Sequence, residues 1–383
     1  MPIFTYSAAG EKDAIKGTKK GLAAVNIRID INGLIARLRP IGLVDKMFFT
    51  RNLAVMVGAG LSLTRTLESL AKEAANPKLK KILLEINDSV IKGKPFAESL
   101  RLHKEVFGEL FINMIEVGET TGKLTLVLKL LASQMKKDHT LRRRVRGAMF
   151  YPAIIIITLL IVGSLMMLYV VPTLTQTIKE LEVELPLSTK IIIFISDQLV
   201  NYFLWVLAGV VIFAAAFWKI LKTRQGKTIF DRLILKAPIF GTLIKKFNSA
   251  RFCRTLSYLI TSGVPIVRSL EISSSVLGHT MFRQAIASAA TAIQKGKQLN
   301  LILAEYPALF QPLMIQMIQV GEETGKLSEM LLRLALFFEE EVTATTKNMS
   351  SIIEPILMIF IGAAVGFFAI SMLQPIYSSL GNI

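Results

Sequence analysis

Two octets in this sequence combine glycines with a lysine, as phosphate-binding loops do: VGETTGKL, which starts at Val117, and VGEETGKL, 203 positions later. A Walker-type loop has four residues between its first glycine and a Gly-Lys pair, followed by Ser or Thr. Here three residues separate Gly118 from Gly122, and Leu124 stands where the magnesium-binding hydroxyl is needed. Glu119 would also place a carboxylate among the phosphates. The octets therefore argue against a nucleotide site.

The same octets fit a tight corner between two antiparallel helices. In that interpretation Gly118 ends one helix in left-handed geometry, Thr121 caps the next helix, and Glu119 accepts backbone N–H groups at the start of that next helix. An alternative is that Glu119 and its copy Glu322 mark a surface for a partner or for the sister domain. The candidate turn or interaction residues are Gly118, Glu119, Gly122, Gly321, Glu322 and Gly325.

A second group of candidates lies in the apolar C-terminal stretch. Gly362 and Gly366 have the Gly-x-x-x-Gly spacing that lets two membrane helices approach closely. The sequence leaves open whether these glycines pack within the chain or dock another transmembrane helix. Glu354 precedes Pro355 at the edge of the same stretch. We interpret Glu354 as a helix cap, with a functional carboxylate near the membrane as the alternative.

The other residues that can carry chemistry are isolated. His103, His139 and His279 lie far apart without a carboxylate pattern, and Cys253 is the single cysteine. The sequence offers neither paired catalytic carboxylates nor the spacing of a metal site. We therefore expect no enzyme activity, no cofactor and no bound metal.

The composition indicates a membrane protein with sizeable polar parts. The chain has 383 residues, of which 52% are hydrophobic and 19% are charged, and its mean hydropathy is +0.52. Crossing a bilayer takes about 20 residues in a helix. Three stretches of at least that length carry no charge: residues 147–178, residues 199–218 and the chain from residue 355 onward. We therefore predict three transmembrane helices.

The charged residues beside the spans predict their orientation. RRRVR, from Arg142 to Arg146, abuts the first span, and Lys219 and Lys222 follow the second. The positive-inside rule places these ends in the cytoplasm and the acidic loop around Glu182 outside. The formal charge of +17 then acts mainly on anionic headgroups of the bilayer. No basic segment interleaves with aromatic residues, so nucleic acid is not an expected partner.

An internal repeat runs through most of the chain at a constant offset of 203 residues. Ten of the thirteen residues that end at Leu124 are identical to those 203 positions later. Both prolines of a span keep the register, because Pro152 and Pro172 match Pro355 and Pro375. The first and third spans are therefore equivalent, and the second span returns the chain so that both soluble copies face the same side.

Each soluble copy is predicted to be a helical bundle, because apolar residues recur at three and four spacing, as at Leu79, Ile82, Leu83 and Ile86. The predicted fold class is all-α, with two homologous cytoplasmic helical bundles of about six helices each plus three transmembrane helices. The predicted divisions are an N-terminal segment (1–45), a first cytoplasmic domain (46–146), transmembrane helix 1 (147–172), an extracytoplasmic loop (173–198), transmembrane helix 2 (199–221), a second cytoplasmic domain (222–351), transmembrane helix 3 (352–373) and an extracytoplasmic tail (374–383).

Several segments resemble the type II secretion system protein F family, which includes the inner-membrane platform protein of type IV pilus assembly. The motifs are FFTRNLAVMVGAGLSLTRTLESL from Phe48, KGKPFAESL from Lys92, MIEVGETTGKL from Met114, YPAIII from Tyr151 and EPILMIFIGAAVGFFAISMLQPIY from Glu354. They recur in the same order in both copies. The resemblance covers practically the whole chain, and residues 20–45 match least well.

The resemblance implies a function that the spacing of residues does not show. Proteins of this family sit in the bacterial cytoplasmic (inner) membrane at the base of a pilus or secretion machine and hydrolyse nothing themselves. The implied partners are a cytoplasmic hexameric secretion ATPase, a pilin or pseudopilin, other inner-membrane assembly proteins, further copies of the chain in a homo-oligomer, and the lipid bilayer. The alternatives are a membrane-anchored adaptor and a small-pore transporter component.

Overall fold

The computed structural model describes residues 40–180 and 185–380. Every regular element within these residues is a helix, which confirms the all-α class. The predicted N-terminal segment lies outside the described residues except for its last few positions. Glu182 of the acidic loop also lies outside them.

The first module (residues 43–146) is a bundle whose helix ends follow local sequence signals. Its helices are α1 (Leu43–Gly58), α2 (Leu63–Glu73), α3 (Pro77–Ile91), α4 (Phe96–Arg101), α5 (Lys104–Phe107), α6 (Glu109–Thr120) and the first half of α7 (Leu124–Leu165). Asn76 caps α3, because its side-chain oxygen accepts the N–H groups of Lys78 and Leu79 at 3.0 and 3.4 Å. Gly60, at φ 89°, provides the left-handed residue that the turn after α1 requires.

Three helices in the described residues are long and apolar enough to cross a membrane. α7 runs from the first module into the first span without interruption, followed by one π-helical turn (Met166–Val170) and α8 (Val171–Glu180). α9 (Leu187–Asn201) comes next, and α10 (Phe203–Lys222) is the second span. The predicted extracytoplasmic loop therefore consists largely of α8 and α9 where it is described.

The second module (residues 224–351) repeats the first and continues into the third span. Its helices are α11 (Arg224–Lys236), α12 (Pro238–Thr261), α13 (Ile266–Val276), α14 (Thr280–Gln294), α15 (Leu299–Ala304), α16 (Pro312–Glu323) and the first half of α17 (Leu327–Leu380). α17 contains both Pro355 and Pro375 and is nevertheless continuous. The predicted helix start at Glu354 is therefore wrong: Glu354 lies in the middle of α17 and is exposed.

The two modules share parts of their hydrophobic cores. Tyr258 and Leu259 of α12 belong to the apolar cluster of the first module. Leu141 of α7 belongs in turn to the cluster of the second module, where it packs among residues such as Leu334 and Phe338. Because each core contains side chains of the other module, the two bundles form one interlocked body.

Candidate functional site

The glutamate of each octet caps a short helix elsewhere in its own module. The Glu119 carboxylate accepts the backbone N–H groups of Phe96 and Ala97, at 2.7 and 3.0 Å. These are the first two residues of α4, whose N–H groups have no partner within that helix. The arrangement satisfies two such donors with a negative charge at the positive end of a helix dipole.

The second copy repeats this contact atom for atom. Glu322 accepts the backbone N–H groups of Leu299 and Asn300 at the start of α15, again at 2.7 and 3.0 Å. The predicted role of Glu119, capping the helix that follows the octet, is therefore wrong. The capped helix instead begins 23 residues before the glutamate, so the octet fastens two helices of a module to each other.

The glycine roles in the octet also differ from the prediction. Gly118 does not end a helix but lies inside α6, and Gly122 is the left-handed residue at φ 68°. A Cβ on Gly118 would lie 3.0 Å from Val127 side-chain atoms and 3.2 Å from the Leu124 Cα. Gly118 is therefore needed for close contact between α6 and α7. The copies Gly321 and Gly325 divide these two roles in the same way.

Thr121 does not cap the following helix either. Its hydroxyl donates backward to the Val117 carbonyl at 2.6 Å, and Thr324 donates to the Val320 carbonyl at the same distance. α7 begins after Lys123 without a side-chain cap. The threonine thus adds a hydroxyl donor to a carbonyl near the end of the helix that already accepts the threonine's own backbone N–H.

A buried ion cluster joins the two modules. Glu339 of α17 pairs with Arg254 of α12, and both side chains are almost fully buried. The second carboxylate oxygen of Glu339 lies 3.3 Å from the Lys137 ammonium of α7. Arg254 also donates to the Tyr258 hydroxyl at 2.8 Å. One carboxylate therefore lies between two cations from different modules.

Further polar contacts flank this cluster. The Gln134 amide of α7 donates to the Thr255 hydroxyl at 3.0 Å, and both residues are buried. Asp138 of α7 lies 3.1 Å from Arg251 of α12. Desolvation lowers the pKa of the Arg251 guanidinium, and the Asp138 carboxylate opposes that shift. Because buried polar groups must be matched to partners, these contacts specify how the modules dock.

The ends of the first and third spans that lie away from the modules are joined by hydroxyl groups of α9. In a π-helical turn the N–H of residue i+5 bonds to the carbonyl of residue i. Pro172 has no N–H, so it cannot occupy the Met167 carbonyl, and the Ser196 hydroxyl donates to that carbonyl at 2.6 Å. The equivalent Pro375 leaves the Ser371 carbonyl free. The Thr189 hydroxyl donates to that carbonyl.

These two contacts provide donors for backbone carbonyls that equivalent prolines leave unpaired in the two repeated spans. Thr189 and Ser196 are seven residues apart, which places both on one face of α9. Ile192 lies between them and packs with Val171 and Met372. An unpaired carbonyl is costly in a medium without water, so each hydroxyl holds its span against α9.

Replacing Thr189 with valine is expected to lower the free energy of unfolding by about 1–3 kcal/mol, because the Ser371 carbonyl would stay buried without a donor. The fall can be measured as a lower thermal unfolding temperature of the detergent-solubilised chain. Thr177→Val is the matched control, since the Thr177 hydroxyl is exposed and bonds only within its own helix. Equal unfolding temperatures for the two variants would contradict the assignment.

The candidate glycines of the third span do not pack within the described chain. A Cβ built on Gly362 or Gly366 meets no heavy atom within 4 Å. None of the residues of α10 is buried either. The first and third spans thus approach each other at the ends away from the modules and leave most of their length open to lipid or to other helices.

The described residues contain no cluster that indicates catalysis. They include no group of three or more His, Cys, Asp or Glu side chains that could hold a metal ion. The lysines of both octets, Lys123 and Lys326, are exposed beside turns whose glutamates already bind backbone N–H groups. What these sites do is fasten helices, modules and spans to one another.

Comparison with known proteins identifies the same repeat. A family model described as type II secretion system (T2SS), protein F matches residues 49–172 and again residues 252–375. Each matched segment covers most of one module and its span, and each ends at one of the two prolines, Pro172 and Pro375.

Curated relatives align along most of the chain. The type IV pilus assembly protein PilC of Thermus thermophilus is 38% identical over 370 residues, which are 96% of this chain and 89% of that protein. PilC of Pseudomonas aeruginosa is 33% identical over 369 residues, or 95% and 97% of the two chains. The type II secretion system protein F of Aeromonas hydrophila is 32% identical over 331 residues, or 85% and 84%.

Proposed function

Because the chain belongs to the type II secretion system protein F family, we propose that it is a non-enzymatic platform that couples a cytoplasmic hexameric secretion ATPase to the assembly of pilin or pseudopilin. The observation that carries this proposal is the nearly full-length match to proteins named for pilus assembly and for type II secretion. Three apolar helices and the family place the chain in the inner membrane.

In this proposal both modules lie in the cytoplasm. Arg142 to Arg146 precede the first span on α7, and Lys219 and Lys222 end the second span. Basic residues at these ends favour the cytoplasmic side. The N-terminus would then be cytoplasmic, and α9 and the C-terminus would lie at the outer surface.

The modules are suited to receive force and the long helices to carry it into the membrane. α7 has 42 residues and α17 has 54, so they extend about 63 and 81 Å at 1.5 Å per residue. Each begins beside an octet and continues without a non-helical break into its span. A displacement of the interlocked modules by the ATPase would therefore move both spans together.

The spans are proposed to guide the transmembrane helices of pilin subunits. Gly362 and Gly366 lie one turn apart on a surface that the described chain leaves open. Small residues at this spacing allow another helix to approach closely. Glu354 is exposed and lies at the edge of the third span nearer the modules, where it would meet a polar or basic group of that partner.

Co-purification of the membrane-extracted chain with the secretion ATPase of the same cell tests the coupling. We expect the full chain to retain the ATPase, and a chain reduced to its spans to lose it. Protease treatment of inside-out vesicles, which should cleave both modules, checks that the modules are accessible from the cytoplasm. Retention of the ATPase by the spans alone would refute the proposal.

A further inference from the structure

We propose that the interlocked body formed by the two modules docks onto a second copy of the same chain, and that this contact repeats the contact between the two modules. One surface is the α1 face, made of Phe48, Arg51, Asn52 and Val55. The other is the α17 face of the neighbouring copy, made of Leu336, Phe337 and Glu340. The inference rests on the repeat and its packing, and does not depend on the proposed function.

The contact between the modules joins two different surfaces of the repeat. α12 of the second module presents Arg254, Thr255 and Tyr258, and α7 of the first module presents Ser133 and Gln134. α12 corresponds to α1, and α7 corresponds to α17, through the offset of 203 residues. The contact is therefore head-to-tail, and a head-to-tail contact leaves one unused surface at each end.

The unused surface of the first module is the α1 face. Its four residues correspond to Arg251, Arg254, Thr255 and Tyr258 of α12. All four α1 residues are exposed, whereas Arg254, Thr255 and Tyr258 are buried in the contact between modules. Val55, for example, is 63% exposed, whereas Tyr258 is 8% exposed.

The unused surface of the second module is the α17 face. Leu336, Phe337 and Glu340 correspond to Ser133, Gln134 and Lys137 of α7. Leu336 and Phe337 are 43% and 39% exposed, whereas Gln134 is 6% exposed. Leu336 precedes the predicted third span by about 24 Å of helix, too far for lipid to cover it. Docking would remove these apolar side chains from water.

One pair of positions is apolar on both faces. Ser133 lies against Tyr258 at 3.2 Å between hydroxyls in the internal contact. The residues at the corresponding positions of the proposed contact are Leu336 and Val55, so an apolar pair replaces a polar one. This paired change favours a contact between the two faces.

The charges are also complementary. Inside the chain, the Glu339 carboxylate lies between Arg254 and Lys137. The corresponding residues at the proposed contact are Lys136, Arg51 and Glu340. Again one carboxylate faces two cations. In the proposed contact the carboxylate is that of Glu340, at the position that Lys137 occupies in the internal contact. Arg51 and Glu340 have no ion-pair partner among the described residues, so both are available to a neighbouring copy.

Cysteine crosslinking between two differently tagged full chains in native membranes tests the geometry. One chain carries Asn52→Cys and the other Phe337→Cys, which correspond to the contact pair Thr255 and Gln134. Burial raises the pKa of the native Cys253 thiol, so that residue stays unreactive. A short thiol crosslinker should give the mixed dimer, whereas Ile91→Cys, exposed on another face of the first module, should not react with Phe337→Cys.

Charge reversal provides an independent measurement that does not need new cysteines. Arg51→Glu and Glu340→Arg should each weaken association of the purified full chain by at least about tenfold, because like charges would meet across the contact. The double variant should recover it, since the pair is restored with opposite polarity. Lys92→Glu makes the same charge change on another exposed surface and should leave association unchanged.

Several outcomes would overturn the proposal. They are a crosslink of Asn52→Cys only with itself, association that ignores both charge reversals, and a chain that remains monomeric. If the first 39 residues of the chain cover the α1 face, Asn52→Cys will resist thiol labelling until they are removed, which also excludes docking there. An ATPase that occupies the face would protect it without any mixed dimer.

Discussion

Glu339→Gln is expected to lower the free energy of unfolding by about 3–5 kcal/mol, because removal of one charge from a buried pair leaves the other uncompensated. The amide oxygen of glutamine could still accept from Arg254, but Arg254 and Lys137 would both lose the carboxylate charge that they share. Chemical denaturation of the detergent-solubilised chain measures the loss. The separation of the modules can be followed by faster proteolysis between them.

The control lies on the same helix. Glu329 of α17 pairs with Arg333, and both side chains are at least half exposed. Exposed pairs of this kind contribute little, so Glu329→Gln should leave unfolding nearly unchanged. If Glu339→Gln were as stable as Glu329→Gln, the buried cluster would not be what holds the modules together.

Glu119→Gln is expected to cost about 2–3 kcal/mol, because two charge-assisted hydrogen bonds to the start of α4 are lost or weakened. An amide can accept only one of the two N–H groups through its oxygen, and its own NH₂ would face the other. The repeat supplies an internal replicate, since Glu322→Gln removes the same two contacts in the second module. Thermal unfolding of both single variants measures the effect.

Glu116→Gln separates this role from a general effect of lost charge. Glu116 lies one turn earlier on α6 and forms an exposed pair with Arg101. Its replacement should change the unfolding temperature very little. A similar loss for Glu116→Gln and Glu119→Gln would contradict the capping role of the octet.

The overall architecture could be predicted because it depends on regular features of the sequence. Uncharged stretches predicted the three spans, and the constant offset predicted two equivalent modules. Local sequence features also account for two helix boundaries, because Asn76 caps α3 and Gly60 occupies a left-handed turn. Each of these features depends on residues close together in the chain or on a regular repeat.

The octet was misinterpreted because its main contact is not local. Glu119 binds the start of α4 about two dozen residues away, and no spacing rule connects a glutamate to a helix at that distance. Gly118 and Gly122 are equally suited to a turn by type. Only the packing of α6 against α7 decides that Gly118 is the close-contact residue and Gly122 the left-handed one.

The contact between modules left a trace in the sequence that can be recognised afterwards. Lys136 corresponds to Glu339, and Val55 corresponds to Tyr258. At both positions the residue type differs between the copies, and the second copy is buried where the first is exposed. The roles of the α9 hydroxyls were harder to recognise in the sequence, because these groups donate to carbonyls left unpaired by prolines on two other helices.

Site-specific photo-crosslinking in living cells tests the central claim, that the modules engage the ATPase while the spans guide pilin. A photoreactive amino acid would replace exposed residues of the modules, such as Leu102 and Leu301, and of the spans, such as Ile359 and Gly362. The account predicts ATPase adducts from module positions alone and pilin adducts from span positions. Pilin captured only by the modules, or an ATPase captured by the spans, would contradict it.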